Sequence, residues 1–173
     1  MNEIKIIKAA QRGDRQAYEK LVEIYDTQLF RTAYGILGNR EDALDAVQDA
    51  FWQGLKSISR LSDPVVFRSW LTRILVNKCM DLLRKNKRVV VCEDFSQLSQ
   101  PGNDIELSID MAAALAKLGD KYRLILSLRY FQDLSISEIA HVLECPEGTV
   151  KSRLHYALMK LKQELKYGRE VVK

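Results

Sequence analysis

Three sets of residues have types and spacings suited to chemistry, and in each case the chemistry is binding rather than bond-making. In "CPEGTVKSRLHYALMKLKQEL" (145–165), Thr149, Lys151, Ser152, Arg153, His155 and Tyr156 bring small, hydroxylated and basic side chains together. Wound as a helix at about 100° per residue, the stretch puts Val150, Leu154, Ala157, Leu158, Leu161 and Leu165 on one arc. Thr149, Ser152, Tyr156 and Gln163 lie opposite, flanked by Lys151 and His155 on one side and Arg153 and Lys160 on the other. A helix entering a DNA major groove needs such a face: small residues for close approach, cations for phosphates or guanine edges, and hydroxyls for bases or backbone.

The second set has the opposite character. Asp45, Gln48, Asp49 and Trp52 are spaced i, i+3, i+4 and i+7, so acid, amide and aromatic share one helical stripe. A Trp exposed beside carboxylates suits a protein contact. The third set, Arg73, Asn77, Asp81, Arg84 and Arg88, recurs every three or four residues. It ends in "RKNKR" (84–88), where Arg84, Lys85, Lys87 and Arg88 add four positive charges. Preceded by the polar loop Ser57–Asp63, this stripe can line a nucleic-acid strand. Catalysis finds no support. Asp42, Asp45 and Asp49 could serve a nuclease but have no second ligand cluster, no His joins them, and His141 and His155 stand fourteen residues apart. No cofactor, metal or catalytic residue is expected, and the protein is not expected to be an enzyme.

Helical periodicity supplies the elements that must carry these sets. From about Asp14, the residues Ala17, Leu21, Ile24, Tyr25, Leu29 and Thr32 follow helical spacing to a stop at Gly38, and Asn39 can cap the next helix. That helix, about Arg40 to Ser57, turns Ala43, Val47, Ala50 and Phe51 inward. Pro64 disfavours helix at Asp63. A longer helix, about Val65 to Lys87, then buries Phe67, Trp70, Leu71, Ile74, Leu75 and Leu82. Farther along, helices are expected at about Leu107 to Leu118 and Asp120 to Phe131, the latter burying Tyr122, Ile125, Leu126 and Leu128. "SISEIAHVLECPEGTVKSRL" then holds helix, turn and helix in twenty residues, with Ser135 and Glu138 as a capping box and Pro146 at a first helical position.

Composition and charge agree with an all-helical chain. Three Pro and eight Gly in 173 residues, with 47% hydrophobic residues, favour packed helices. The net charge of +4 hides its own distribution. Residues 1–90 carry 16 Lys and Arg against 11 Asp and Glu, residues 91–110 carry none against five, and residues 111–173 carry 11 against seven. Two basic blocks therefore flank an acidic, Pro- and Gly-containing segment, as two polyanion-facing units on a linker would. No run approaches the ~18 apolar residues of a membrane span, and "MNEIKIIKAAQRGD" has no signal-peptide core, so a cytoplasmic protein without membrane insertion is expected. Cys79, Cys92 and Cys145 lack CxxC spacing and read as unpaired thiols.

"EDALDAVQDAFWQGL", "FRSWLTRILVNKCMDLLRKNKR" and "LGDKYRLILSLRYFQDLSISEIAHVLECPEGTVKSRLHYALMKLK" resemble conserved regions 2 and 4 of bacterial sigma factors. The likeness is to the small two-domain extracytoplasmic-function (ECF) branch of the sigma-70 family, over about residues 8–90 and 107–166. It implies an all-α chain with region 2 at 1–90, a flexible acidic linker at 91–107 and region 4 at 108–173. It also implies a promoter-recognition and DNA-melting factor for RNA polymerase, held inactive by an anti-sigma factor.

By this resemblance, Asp45, Gln48, Asp49, Phe51 and Trp52 dock on the β′ clamp helices of core RNA polymerase, and the polymerase β flap is a further contact. Arg60 and Ser62 of the loop, with Arg73, Asn77, Arg84, Lys85, Lys87 and Arg88, melt and read the minus-10 element. An extruded base held in a polar loop, with cations on the strand's phosphates, is the physical basis of such melting. Thr149, Lys151, Ser152, Arg153, His155 and Tyr156 read the minus-35 element. The linker would thread toward the polymerase active-site channel. Two positions depart from the family pattern: Glu144 stands in the turn where Gly is usual, and Tyr156 and Leu158 stand where Arg is frequent. A left-handed Glu144 would carry a penalty of ~1 kcal/mol. The rival reading, a helix-turn-helix regulator acting without polymerase, leaves the Asp45–Trp52 stripe and the basic stripe unused.

Overall fold

Asp14, Gly38 and Asn39 punctuate the start of the chain as their side chains allow. In the computed structural model, which describes residues 3–89 and 114–171, helix α1 (Glu3–Gln11) precedes α2 (Arg15–Leu37). The Asp14 carboxylate accepts the Ala17 N–H at 3.1 Å and starts α2. Gly38 ends it at φ 70°, a conformation that costs a residue without Cβ nothing. Asn39 then caps α3 (Arg40–Ser57) by accepting from the Asp42 N–H at 3.1 Å. Two short 3₁₀ turns, Ile58–Arg60 and Pro64–Val66, lead into α4 (Phe67–Val89). After a helical turn at 114–116 come α5 (Asp120–Tyr130), α6 (Ile136–Leu143) and α7 (Glu147–Val171). No strand occurs among the described residues.

The first four helices share a core in which Leu21, Leu29, Ile36, Phe67, Leu71 and Leu75 are almost wholly buried. Tyr18 joins α2 to α3 by donating its hydroxyl to the Phe51 carbonyl at 2.6 Å, and Tyr25 donates to Glu3 of α1. Helix α1 lies ahead of the periodic stretch recognised in sequence, yet it closes this core with Ile6, Ile7 and Ala10. The second unit packs Ile125, Leu128, Leu134, Ile139, Val150 and Ala157 among α5, α6 and α7. It rests on the first through α5 against α2 and α6 against α4.

Most expected core residues are inside, and two are not. Ile24 is 51% exposed and Leu158 is 38% exposed. The expected linker at 91–107, most of the helix expected at 107–118, Cys92, and the side chains of Lys87 and Arg88 lie outside the described residues.

Leu71 is fully buried where α4 meets its neighbours. Leu71→Ala should therefore cost about 2–5 kcal/mol of stability, read as a lower urea midpoint by circular dichroism.

Candidate nucleic-acid and partner interfaces

Helix α3 buries Ala43, Ala46, Val47 and Ala50, which leaves Asp45, Gln48, Asp49 and Trp52 exposed along its outer side. Trp52 is 59% exposed, with Lys56 Nζ 4.5 Å from its ring centroid. Phe51 is different: it is 8% exposed and belongs to the core beneath the stripe. Its neighbours in sequence point outward while it anchors the helix. Asp45, Gln48 and Asp49 share an open cavity of about 370 Å³ with Lys78, Asp81, Leu82 and Lys85 of α4. Lys78 lies 3.6 Å from Asp49, so the acids of α3 and cations of α4 partly offset each other along the groove. Among the described residues no cluster of His, Cys, Asp or Glu could hold a metal ion.

The basic stripe on α4 is divided by its partners. Arg84 pairs with Asp81 at 2.9 Å on its own helix, and Lys85 faces the α3 groove. Asn77 is exposed. Arg73 is half-buried and turned toward the second unit, where it pairs with Glu144. In the preceding loop, Arg60 and Ser62 are exposed, and the Asp63 carboxylate accepts the Val65 N–H at 2.9 Å. That cap presents Val65 (71% exposed) and Val66 (42% exposed), an apolar pair that periodicity alone does not single out.

In the second unit the capping box forms as the sequence predicts. The Ser135 hydroxyl accepts the Glu138 N–H at 3.2 Å, and Glu138 accepts the Ser135 N–H at 2.8 Å. Glu144 ends α6 in the left-handed region at φ 51°, ψ 44°. Helix α7 begins at Glu147, one residue after Pro146, and exposes Lys151, Ser152, His155 and Tyr156, with Thr149 and Arg153 half-buried. Ser152 donates to the Thr149 carbonyl at 3.1 Å. The Tyr156 ring stacks on Tyr122 of α5 (6.3 Å, 14°), and Lys121 and Lys160 sit over the Tyr122 ring. One Tyr156 face is thus occupied from within the unit, an arrangement that helical spacing could not reveal.

Sequence reasoning also missed Gln132, which is fully buried. It precedes Asp133, whose left-handed backbone (φ 50°) turns the chain between α5 and α6. Its Nε2 donates to Thr32 Oγ1 at 2.9 Å, and its Oε1 lies 3.2 Å from Thr72 Oγ1. A single Gln in a loop carries no periodicity, so no sequence signal pointed to it.

Two helical units, one ending in a helix-turn-helix with a basic leading face and the other bearing an acidic-aromatic stripe, define the class of sigma-70 transcription factors. Family models for Sigma-70 region 2 and for Sigma-70, region 4 match residues 21–89 and 114–163. The ECF RNA polymerase sigma factor SigW of Bacillus subtilis is 33% identical, over 94% of this chain and 96% of that protein. The chain belongs to the ECF sigma factors. Its fold matches CnrH, solved in complex with the cytosolic domain of CnrY (TM-score 0.73, 26% identity, 95% of this chain, 97% of that one). It also matches the fold of the sigma factor RpoE of Bartonella quintana, solved with the anti-sigma factor NepR (TM-score 0.75, 24% identity, 86% and 96%). No helix among the described residues is long and apolar enough to cross a membrane.

Burial works against the Glu138 carboxylate, but the Ser135 N–H and hydroxyl and then Arg68 together hold its pKa below the ordinary 4.5. A depressed folded value contributes stability that is present above the unfolded pKa and lost as pH falls through the folded one. Unfolding midpoints measured across the acid range should therefore fall below about pH 4.5, and Glu138→Gln should flatten that dependence.

Proposed function

We propose that this protein binds core RNA polymerase, directs it to a promoter and opens the duplex there, without catalytic activity of its own and in the cytoplasm. The observation that carries this reading is the end-to-end match to SigW, which spans both units and their order in the chain. On this reading residues 1–90 act as region 2, 91–107 as the linker and 108–173 as region 4.

The exposed Asp45, Gln48, Asp49 and Trp52 dock on the β′ clamp helices, with Phe51 holding the stripe from beneath. An aromatic ring beside carboxylates gives such a contact apolar area and charge complementarity together. The loop bearing Arg60 and Ser62 takes an extruded base of the minus-10 element, and Val65 and Val66 present apolar surface where the bases part. Arg73, Asn77, Arg84, Lys85, Lys87 and Arg88 follow the strand's phosphates. The leading face of α7 reads the minus-35 element through Thr149, Lys151, Ser152, Arg153 and His155, with Tyr156 at its margin, while region 4 meets the β flap. RpoE was solved with an anti-sigma factor, and an inhibitory partner of that kind belongs to the same reading.

Abortive RNA synthesis from a cognate promoter, with core polymerase added, tests the proposal; no holoenzyme and no product would refute it. Asp49→Ala should weaken holoenzyme assembly at unchanged fold, as read by core-polymerase titration. Arg153→Ala should weaken promoter binding by ~1–3 kcal/mol if its contact is to a base edge. A phosphate contact would instead give a uniform loss across sequences and a shallower salt dependence.

A further inference from the structure

Tyr156 stands in line with Thr149 and Ser152 on α7, about 10 Å and about 6 Å beyond them along the helix axis. It is 52% exposed, yet its ring lies nearly parallel to that of Tyr122 on α5, with centroids 6.3 Å apart and planes at 14°. Tyr122 is well anchored. It is half-buried and packed against the core, in the first turn of α5, where Arg123 donates to Asp120 at 2.7 Å. A tyrosine on an open helix face has two χ1 wells to choose from, and an anchored partner ring selects one of them. The stack therefore fixes, before DNA arrives, a side chain that α7 by itself leaves free.

Two cations belong to the same cluster. Lys121 Nζ is 5.0 Å from the Tyr122 ring centroid, and Lys160 Nζ is 5.4 Å from it. Lys121 precedes Tyr122 on α5, and Lys160 follows Tyr156 by one turn on α7. Among the described residues neither ammonium has a carboxylate partner, whereas Lys78, Arg84 and Lys151 each stand beside one. Attraction to a ring face leaves the positive charge in place, so both lysines remain open to phosphate.

The chemistry of the stacked pair narrows what it can read. Bases in a duplex show the major groove only their edges, and the thymine C5-methyl is the apolar group among them. One face of the Tyr156 ring is taken by Tyr122, which leaves the other face and the ring edge for that methyl. Arginine, frequent at this position in the family, would instead pair with guanine O6 and N7. Tyrosine exchanges that preference for an apolar one, and Tyr122 gives it a direction.

We propose that Tyr122 is a positioning residue for promoter reading. By stacking on Tyr156 it aims that ring at a thymine methyl of the minus-35 element, and Lys121 and Lys160 brace the contact on the flanking phosphates. That role rests on the function given above, and it adds α5 to the surface that reads DNA.

Holoenzyme made from core polymerase and the full chain would select promoter duplexes randomised through the minus-35 element, and affinities would be measured on the selected sequence. Wild type should select thymine at one position. Replacing that base by deoxyuridine, which lacks only the methyl, should weaken binding about fourfold, as the loss of one buried methyl group would. Tyr122→Leu keeps apolar volume in the half-buried site but removes the ring. It should lose the thymine preference and the deoxyuridine effect, with preferences at other positions unchanged. Tyr122→Phe keeps the stack and should behave as wild type. Tyr156→Ala should match Tyr122→Leu at that position, and the double variant should add nothing further there, as residues acting as a unit do. Lys121→Gln and Lys160→Gln should weaken binding evenly across sequences, each lowering the salt slope by about one.

A Tyr122→Leu chain with the wild-type sequence profile and deoxyuridine response would overturn the proposal. So would an even loss across all sequences, the result expected if the stack only anchors α7. Lysine variants with an unaltered salt slope would overturn the phosphate contacts. If circular dichroism shows Tyr122→Leu unfolded, Tyr122→Met takes its place as the ring-free variant. An unchanged thymine response in Tyr156→Ala would likewise refute the contact. A wild-type chain that forms no holoenzyme would refute the functional reading. One that forms it and selects a minus-35 sequence without responding to deoxyuridine would refute this role of Tyr122 alone.

Discussion

Helix α2 has to satisfy two partners at once, and the rest of the molecule is arranged around that constraint. One side buries Leu21, Tyr25 and Leu29 in the first unit's core, and farther along Thr32 and Gly35 meet the second unit. The first side is apolar and aromatic, with Tyr25 packed edge-on against Phe67 at 5.5 Å. The second is small and polar. Apolar burial is strong and non-directional, whereas a hydrogen-bonded clasp is weak in net terms and demands geometry. The chain thus joins its second unit through a hydrogen-bonded clasp as well as through the apolar cluster that both units share.

Charge is partitioned along the same lines. Carboxylates lie on the outer side of α3 and cations on α4, so the two chemistries occupy neighbouring faces of one unit. In the second unit the order reverses along a short span: the acids Glu138 and Glu144 sit on and just after α6, and the basic leading turns of α7 follow. The acid end points at α4 and the basic end points away. A modest net charge of +4 therefore says little, because each face is set by local residues within a Debye length.

Much of this was legible in the sequence because it rests on local rules. Asp14, Gly38, Asn39 and Ser135 mark helix ends by side-chain chemistry that acts over three or four residues, and each does so in the structure. Trp52 beside Asp49 announced an exposed aromatic because the opposite arc of α3 is filled by Ala and Val. What stayed hidden depends on residues far apart in sequence. Gln132 and Thr32 are 100 positions apart, and Arg73 and Glu144 are 71 apart. Helical periodicity says which way a residue faces but not what it meets. Leu158 and Ile24 show the same limit: both were read as core, and both are exposed. Phe51, grouped with the docking residues by resemblance, is a core residue because its angular position puts it beneath Trp52.

The units are in contact in the free protein, and on the proposed function their separate faces serve one promoter. A distance between them in each state tests both together. Gln53 on α3 and Gln163 on α7 are exposed; Gln53 is outside the docking stripe, and Gln163 lies beyond the leading turns of α7 assigned to DNA. Spin labels attached there by cysteine-independent chemistry would be measured by pulsed electron resonance, first in the free protein and then with core polymerase on promoter DNA. The account predicts one well-defined distance in the free chain that lengthens by tens of ångströms in the complex. The same distance in both states, in a complex that makes RNA, would contradict it.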